Sequence, residues 1–285
     1  MKTLSIPEVG KKAEEVFEEC ARDFTTKIEY TRIALTYLTH VKLCSDEYSG
    51  YVPRNIGLLS HPQVDKLKED DVEIIKKLYT DKFSKKDTVG YKYYKLIRLN
   101  ANGVCPICGR GAPKTLDHFL PKSEYPLLCV TPCNLVPICR DCNTEKKDIT
   151  SIDYFGLPFH PYFDVMDNQW IECTIDFIDA RSFSVEFFNG YDKTKDINMW
   201  RKYNVHIEAY GIADTFASCA IEEINNMKKN YYDLLKECGE ASVKDELIKV
   251  TRSAEAVDVN SWKSALYRGL SKQCHEFCIW LNKLP

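Results

Sequence analysis

Apolar residues recur at helical spacing over much of the chain, and the first such series is Val16, Cys20, Phe24 and Ile28. A four-residue recurrence predicts one apolar stripe along an N-terminal helix. Glycine and proline break this pattern around residues 50–57, and residues 70–83 resume it. We therefore predict a helical region over residues 1–99, and Asn102-Gly103 then predicts a turn.

A different periodicity follows residue 165. Residues 170–188 alternate in the manner of a β-strand and are interrupted at residues 179–182, which predicts a β-hairpin. Helical spacing returns in the last third, where Asn260-Ser261 is a suitable helix start. One face of this third carries Ile212, Phe216, Cys219, Met227, Leu234 and Cys238, and another carries Trp262, Leu266, Leu270, Cys274, Phe277 and Leu281. Regions 166–190 and 191–285 are thus predicted as a β-hairpin extension and a helical region.

Composition indicates an ordinary globular protein. Hydrophobic residues make up 44% and charged residues 28% of the 285 residues, enough for a large core. No apolar run approaches the roughly 20 residues that span a bilayer, and the N-terminus lacks the pattern of a signal peptide. The thirteen cysteines are an odd number. These features predict a cytoplasmic protein with reduced thiols and no membrane partner.

Positive charge is concentrated in one stretch. The formal net charge is −3, whereas a protein that grips nucleic acid alone is usually more basic. Residues 82–98 are the exception, with one acid, Asp87, among the basic residues Lys82, Lys85, Lys86, Lys92, Lys95 and Arg98. Tyr91, Tyr93 and Tyr94 lie between them and could stack on bases. A solvated amphipathic helix with inward-facing tyrosines is an equal alternative.

Two Cys-x-x-Cys pairs predict a structural zinc site. The first pair is Cys105 and Cys108, and the second is Cys139 and Cys142. Four thiolates can bind one Zn²⁺ ion tetrahedrally. Cys129 and Cys133 lie between the pairs and could also enter a metal site, but a two-residue gap is the usual geometry. The other cysteines are predicted to be buried free thiols: Cys20, Cys44, Cys173, Cys219, Cys238, Cys274 and Cys278.

Between and beside these pairs lie residues suited to hydrolysis. Asp117 supplies a hard oxygen ligand for Mg²⁺ or Mn²⁺. The adjacent His118 has an ordinary pKa near about 6.5 and can act as a general base toward water. Asn134 and Asn143 add amides. Lys146 lies one turn beyond Asn143 if that segment is helical, where it would face either solvent or a phosphate.

Three segments in this order resemble the HNH nuclease family: residues 116–122 (LDHFLPK), 134–137 (NLVP) and 139–146 (CRDCNTEK). The resemblance covers residues 103–150 and implies a ββα-metal finger, two short strands and a helix around one catalytic cation. Asn143 stands where many members have histidine, so the chain looks like the H-N-N variant. The resemblance implies that Asn143 is the second protein ligand of the cation and that Asn134 ties its loop to the histidine segment.

A second resemblance is looser. The aromatic segment 158–164 contains His160, for which a structural role is expected. Together with the helical flanks, it is similar to the HNH nucleases of Septu-type bacterial antiphage systems, which work beside an ATPase. That similarity implies an ATPase partner and a role in antiviral defence.

We therefore predict an α+β protein with a zinc-stapled HNH core at residues 100–165. It would hydrolyse phosphodiester bonds of DNA with one Mg²⁺ or Mn²⁺ ion. His118, Asp117, Asn134 and Asn143 are its predicted catalytic residues, and nucleic acid is expected to meet Lys85, Lys86, Lys92, Lys95 and Lys146. Three alternatives remain. They are an RNA endonuclease with the same centre, an inactive zinc-containing nucleic-acid-binding subunit, and an assembly subunit in which the nuclease centre is minor.

Overall fold

The computed structural model describes residues 2–22, 28–49, 67–146, 151, 153–166, 168–180 and 182–284. The chain divides into two compact units, Lys2–Val165 and Met166–Pro285. Helices dominate these residues, and two small antiparallel sheets accompany them, which confirms the mixed α+β class. The finer division at residues 99 and 190 stays a prediction.

The first unit begins with helices, which are α1 (Ala13–Ala21), α2 (Ile28–Ser49), α3 (Glu69–Leu78) and α4 (Tyr91–Leu99). A π-helical turn, Tyr79–Phe83, continues α3, so the helical pattern predicted for residues 70–83 is confirmed. Asn102 and Gly103 both have positive φ, at 49° and 80°, and form the predicted turn.

The predicted single N-terminal stripe is wrong beyond Cys20. Helix α1 ends at Ala21, and Ile28, which begins α2, is 89% exposed. The four-residue spacing runs across two separate helices, and the buried face of α2 begins instead at Tyr30 and Ile33. Phe24 and the interruption at residues 50–57 lie outside the described residues.

A buried carboxylate joins α2 to α3. Asp71 accepts hydrogen bonds from Arg32 at 2.5 Å and from the Tyr37 hydroxyl at 2.7 Å, and its side chain is 3% exposed. The hydrogen bond from Arg32 lowers the pKa of Asp71 against the opposing effect of burial. The ion pair therefore offsets the cost of burying a charge between two helices.

The rest of this unit contains a small ββα element. Strand β1 (Thr115–His118) pairs antiparallel with β2 (Leu135–Ile138), in a register that sets Asp117 opposite Val136 and His118 opposite Leu135. Helix α5 (Arg140–Glu145) follows β2 directly. Between the strands the chain makes two 3₁₀ turns, Pro126–Leu128 and Pro132–Asn134, each begun by a proline with its fixed φ.

The aromatic segment 158–164 packs on β2. The Tyr162 hydroxyl donates to the Leu135 carbonyl at 2.8 Å. His160 is 2% exposed and uses both ring nitrogens: Nδ1 accepts from the Tyr162 backbone N–H at 3.1 Å, and Nε2 lies 2.8 Å from the Tyr48 hydroxyl. A histidine bonded on both sides is structural, as predicted.

The second unit begins with the predicted hairpin, in which β3 (Ile171–Phe177) pairs antiparallel with β4 (Phe183–Asn189). Its helices are α6 (Ile197–Ala209), α7 (Ile212–Glu255), α8 (Trp262–Lys272) and α9 (Cys274–Asn282). Ser261 caps α8 by accepting from the Ser264 N–H at 3.1 Å, so the predicted helix start is confirmed.

Glycine interrupts the long helix α7. Gly239 has φ of 79° and ψ of 175°, values outside the helical region, and such a φ favours glycine.

The prediction of a buried thiol is wrong for Cys238, the neighbour of Gly239, because this cysteine is exposed. Cys44 is half-buried. Cys238 lies in a stretch of α7 without buried residues, between the buried Tyr231 and the buried Val243. Among the residues that the structure describes, no helix combines the length and apolar character of a membrane span.

Candidate metal centre and histidine site

Four cysteine sulfurs gather at one end of the ββα element. The Sγ atoms of Cys105, Cys108, Cys139 and Cys142 all lie within 4.8 Å of one another, and all four residues are buried. Cys108 Sγ and Cys139 Sγ are 3.8 Å apart. A tetrahedron with Zn–S bonds of about 2.3 Å has edges of about 3.8 Å, so the cluster has the size of a structural zinc site.

The backbone around the first pair is shaped for this cluster. The Gly111 carbonyl accepts from the Cys105 N–H at 2.7 Å, and the Gly111 N–H donates to Cys108 Sγ at 3.5 Å. A Cβ atom at Gly111 would lie 2.6 Å from Cys139 Cβ, so only glycine fits there. Hydrogen bonds within the cluster lower the pKa of Cys108 far below its usual range and that of Cys139 to about 7, and they raise the pKa of Cys105 and Cys142. The low pKa values of Cys108 and Cys139 favour the thiolate form, which binds metal.

The alternative cysteines do not belong to this cluster. Cys129 Sγ donates to the Ile75 carbonyl at 3.3 Å, and burial raises the pKa of this thiol to about 12. Cys133 is buried without joining the four sulfurs. The choice of the two outer Cys-x-x-Cys pairs is therefore confirmed as a cluster compatible with a structural metal such as zinc.

His118 ends β1 and is almost enclosed. Its Nε2 lies 2.8 Å from the Cys129 carbonyl oxygen, and the side chain is 8% exposed. The ring of Tyr79 meets the imidazole edge-on, with centroids 4.4 Å apart. Burial lowers the pKa of His118 to about 3, and Lys122 and Lys146 act in the same direction against the Cys129 carbonyl.

This contact assigns the tautomer of His118. A carbonyl oxygen can only accept, so Nε2 carries the hydrogen and Nδ1 carries the lone pair. Among the described residues, no group donates a hydrogen bond to Nδ1 of His118. The low pKa keeps the ring neutral, so the Nδ1 lone pair carries no proton at neutral pH and can accept a hydrogen bond from a bound molecule, and the same low pKa makes Nδ1 a weaker base than a free imidazole.

Asn134 holds the segment that follows His118. Its Oδ1 accepts from the Leu120 N–H at 2.9 Å, and its Nδ2 donates to the carbonyls of Leu120 at 3.1 Å and Leu128 at 3.3 Å. The Asn134 carbonyl also accepts from the Phe119 N–H at 2.8 Å. The residue is fully buried. Its amide thus joins the histidine segment to the 3₁₀ turn that precedes Cys129, the residue whose carbonyl orients the imidazole.

Asp117 and Lys146 meet at the end of the strand. The Lys146 ammonium donates to Asp117 Oδ2 and to the His118 carbonyl, and lies 3.4 Å from the Phe119 carbonyl. Because β1 ends at His118, the side chain of Asp117 and the backbone of His118 reach the same group despite the alternation of a strand. The contact of Lys146 with Asp117 is not evident in the sequence, and a phosphate contact of Lys146 stays a prediction.

Asn143 is exposed on α5, directly after the metal-cluster residue Cys142. Its N–H donates to the Cys139 carbonyl at 3.1 Å, which fixes the first turn of the helix. Lys146, whose side chain reaches Asp117, follows the end of α5 as its C-cap residue, with an extended backbone (φ −60°, ψ 123°). A joint role of Asn143 and Asp117 stays a prediction.

No role was predicted from the sequence for three contributors to the histidine site. Tyr79 comes from the π-helical turn and also donates its hydroxyl to the Leu116 carbonyl at 3.0 Å. The Cys129 carbonyl belongs to the backbone. Lys122 lies within the LDHFLPK segment, and its ammonium is 5.4 Å from the Tyr79 ring centroid. Aromatic residues at helical spacing usually indicate core, so only the position of Lys122 in that segment carried a signal.

The basic stretch is partly neutralised. Of the two alternatives for the tyrosines, the inward-facing one is confirmed for Tyr93 and Tyr94, because α4 turns these rings toward the core and both are buried. Lys92 pairs with Glu19 at 2.9 Å, and Lys95 lies 5.6 Å from the Tyr91 ring centroid. Lys85, Lys86 and Lys95 are exposed. Nucleic-acid contact by Lys85, Lys86, Lys92 and Lys95 stays a prediction.

Comparison with known proteins gives one partial likeness. The chain is 34% identical to "Protein ea31" of Escherichia phage lambda over 119 residues, which make up 40% of this chain and 40% of that protein. It therefore covers well under half of that relative. No family model matches the chain, and no solved structure matches it.

Proposed function

We propose that the protein is an HNH-type endonuclease that hydrolyses phosphodiester bonds of DNA. The observation that carries the proposal is the 2.8 Å contact between His118 Nε2 and the Cys129 carbonyl. It leaves the lone pair of a neutral imidazole on Nδ1, in the residue that follows Asp117 in the chain and within a ββα element that a four-cysteine cluster can brace. A general base, an anionic oxygen and a rigid support are the parts that such a hydrolase needs.

His118 acts as the general base that deprotonates the attacking water. Nδ1 of His118 accepts a proton from a water molecule, whose oxygen attacks the phosphorus, and the bond from phosphorus to the leaving oxygen breaks. The Cys129 carbonyl holds the ring throughout and stabilises the imidazolium that forms. Asn134 acts as a positioning residue, since it joins the histidine segment to the turn that carries that carbonyl.

Asp117 and Asn143 would hold the divalent cation. The Asp117 carboxylate already binds a cationic group, the Lys146 ammonium, together with main-chain oxygens. Oxygen donors of this kind suit Mg²⁺ or Mn²⁺. When bound, the cation supplies positive charge that stabilises the negative charge developing on the phosphate. One such centre is present in the residues that the structure describes, so one chain is expected to nick a single strand.

The test compares cleavage of supercoiled plasmid, single-stranded DNA and RNA, each with Mg²⁺, Mn²⁺ or a chelator. We expect metal-dependent nicking of DNA that His118→Ala abolishes while zinc content and folding remain. His275→Ala is the matched control, because this histidine is exposed in the second unit and contacts Glu240. Faster cleavage of RNA would favour the RNA endonuclease. Binding without any cleavage would favour an inactive nucleic-acid-binding subunit.

A partner for this activity is proposed on two grounds. The net charge of −3 gives little overall attraction to nucleic acid, and the Septu-type resemblance implies an ATPase. We propose that such a partner brings the nuclease to DNA in antiphage defence. Copurification with an ATPase, with cleavage only in the complex, is the expected result. Full activity of the isolated chain at physiological salt would contradict it.

A further inference from the structure

A small cage of oxygens surrounds the Lys146 ammonium. The cage consists of Asp117 Oδ2 and the carbonyl oxygens of His118 and Phe119. The Lys146 side chain is 5% exposed and that of Asp117 is 21% exposed. Lysine is seldom buried unless it is paired. One carboxylate and two main-chain carbonyls are also the donors that a hard divalent cation takes.

The ammonium and a divalent cation would be mutually exclusive at these oxygens. Both need the negative charge of Asp117, and two cations held a few ångströms apart repel each other strongly where solvent is scarce. Lys146 is anchored nearby, because its backbone N–H donates to the Cys142 carbonyl at 3.0 Å. The side chain of Lys146 is long and flexible, so the ammonium can leave the carboxylate without movement of the Lys146 backbone.

We propose that Lys146 is a resident cation of this site, which competes with the catalytic divalent cation for Asp117. Metal loading then requires the ammonium to leave the oxygen cage. Lys146 keeps Asp117 neutralised in the metal-free protein and sets a threshold of metal concentration for activity. This inference rests on the proposed role of Asp117 as a metal ligand.

Lys122 provides the matched control. Its ammonium also lies near His118, and it lowers the pKa of that residue. It lies 5.4 Å from the Tyr79 ring centroid, and among the described residues it forms no ion pair with Asp117. Lys122→Met therefore removes a positive charge from the same neighbourhood without vacating the oxygen cage.

The experiment measures Mn²⁺ binding to the zinc-loaded full chain by electron paramagnetic resonance of free Mn²⁺. Thiolates prefer zinc, so Mn²⁺ reports on the oxygen site. Lys146→Met is expected to bind Mn²⁺ at least about tenfold more tightly than wild type. The Mn²⁺ affinities of Lys146→Arg and Lys122→Met are expected to lie within about threefold of the wild-type value. Asp117→Asn is expected not to bind Mn²⁺. Zinc content and thermal unfolding of each variant are recorded in parallel.

The outcomes separate this inference from the proposed function. If Asp117→Asn loses Mn²⁺ but folded Lys146→Met gains no affinity, the competition is wrong and the metal site stands. If Asp117→Asn binds Mn²⁺ as wild type does, the proposed metal ligand is wrong and the inference falls with it. Should Lys146→Met not fold, amine labelling of wild type decides: Mn²⁺ must increase modification of Lys146, and unchanged modification overturns the inference.

Discussion

The ring of Tyr79 meets the imidazole of His118 edge-on, with centroids 4.4 Å apart. Tyr79 also stacks on Phe83 at 5.8 Å and donates its hydroxyl to the Leu116 carbonyl. One side chain from the π-helical turn thus packs against the imidazole and binds the strand that carries it. The orientation of His118 depends on a helix that lies far from it in the sequence.

Removing this ring should reduce both stability and cleavage. Tyr79→Ala is expected to lower the free energy of unfolding by about 3 kcal/mol, because it leaves a cavity against His118. Tyr79→Phe loses only the hydrogen bond to Leu116, about 1 kcal/mol, and keeps the ring contact. Urea unfolding measures both values. Equal losses for the two variants would contradict a packing role for the ring.

Sequence patterns predicted the structural features that depend only on residues close to one another in the chain. The Cys-x-x-Cys pairs, the hairpin at residues 171–189 and the start of α8 are encoded within a few residues each, and each was confirmed. The contacts of His118 could not be predicted from the sequence. The Cys129 carbonyl belongs to the backbone and has no side-chain signature, and the sequence around Tyr79 is typical of a core residue. The ion pair between Lys146 and Asp117 depends on how α5 packs beside β1.

The prediction from apolar periodicity was wrong where the four-residue spacing of α1 continues by coincidence into α2. Val16 and Cys20 are buried in α1, whereas Ile28 has the same spacing and is exposed at the start of α2. The two residues belong to different helices, so one four-residue spacing does not describe a single buried face. Similarly, the basic and aromatic residues of α4 resembled a stacking surface, but Tyr93 and Tyr94 contribute to the core. A single sequence does not distinguish an aromatic ring that faces bases from one that faces the protein interior.

Asn134 should be intolerant of an isosteric change. In Asn134→Asp the two carbonyls that now accept from Nδ2, those of Leu120 and Leu128, would face a buried carboxylate. We expect a loss of about 3 kcal/mol in the free energy of unfolding, since an uncompensated buried charge is costly. Asn225→Asp is the control, because its amide donates to Ile221 on an exposed helix surface. Denaturant titration of both variants is the measurement, and similar losses would count against the bracing role of Asn134.

The four thiols should bind one tightly held zinc ion. Cys108→Ser is expected to lose the zinc and to lower the unfolding temperature, because a missing thiolate opens a tetrahedral site. Cys238→Ser is the matched control, since this thiol is exposed and outside the cluster. Elemental analysis and thermal unfolding measure the two effects. Zinc retained at the wild-type level in Cys108→Ser would exclude this thiol as a ligand.

The stability of the protein should fall in acid because of His118. Burial lowers its pKa in the folded state to about 3, whereas the unfolded chain binds a proton at about 6.5. The contribution of a neutral His118 is therefore complete above about pH 6.5 and is lost progressively as the pH falls toward 3. One pKa unit corresponds to about 1.4 kcal/mol, so the loss of stability between pH 6.5 and pH 5 amounts to about 2 kcal/mol.

The control variant for this prediction is His118→Gln, which retains a donor for the Cys129 carbonyl but does not titrate. Acid protonation of the cysteine cluster affects both proteins alike, so the difference between their unfolding free energies isolates the histidine. That difference should shrink by about 2 kcal/mol from pH 7 to pH 5, and a constant difference would mean that His118 is protonated as easily in the folded protein as in water.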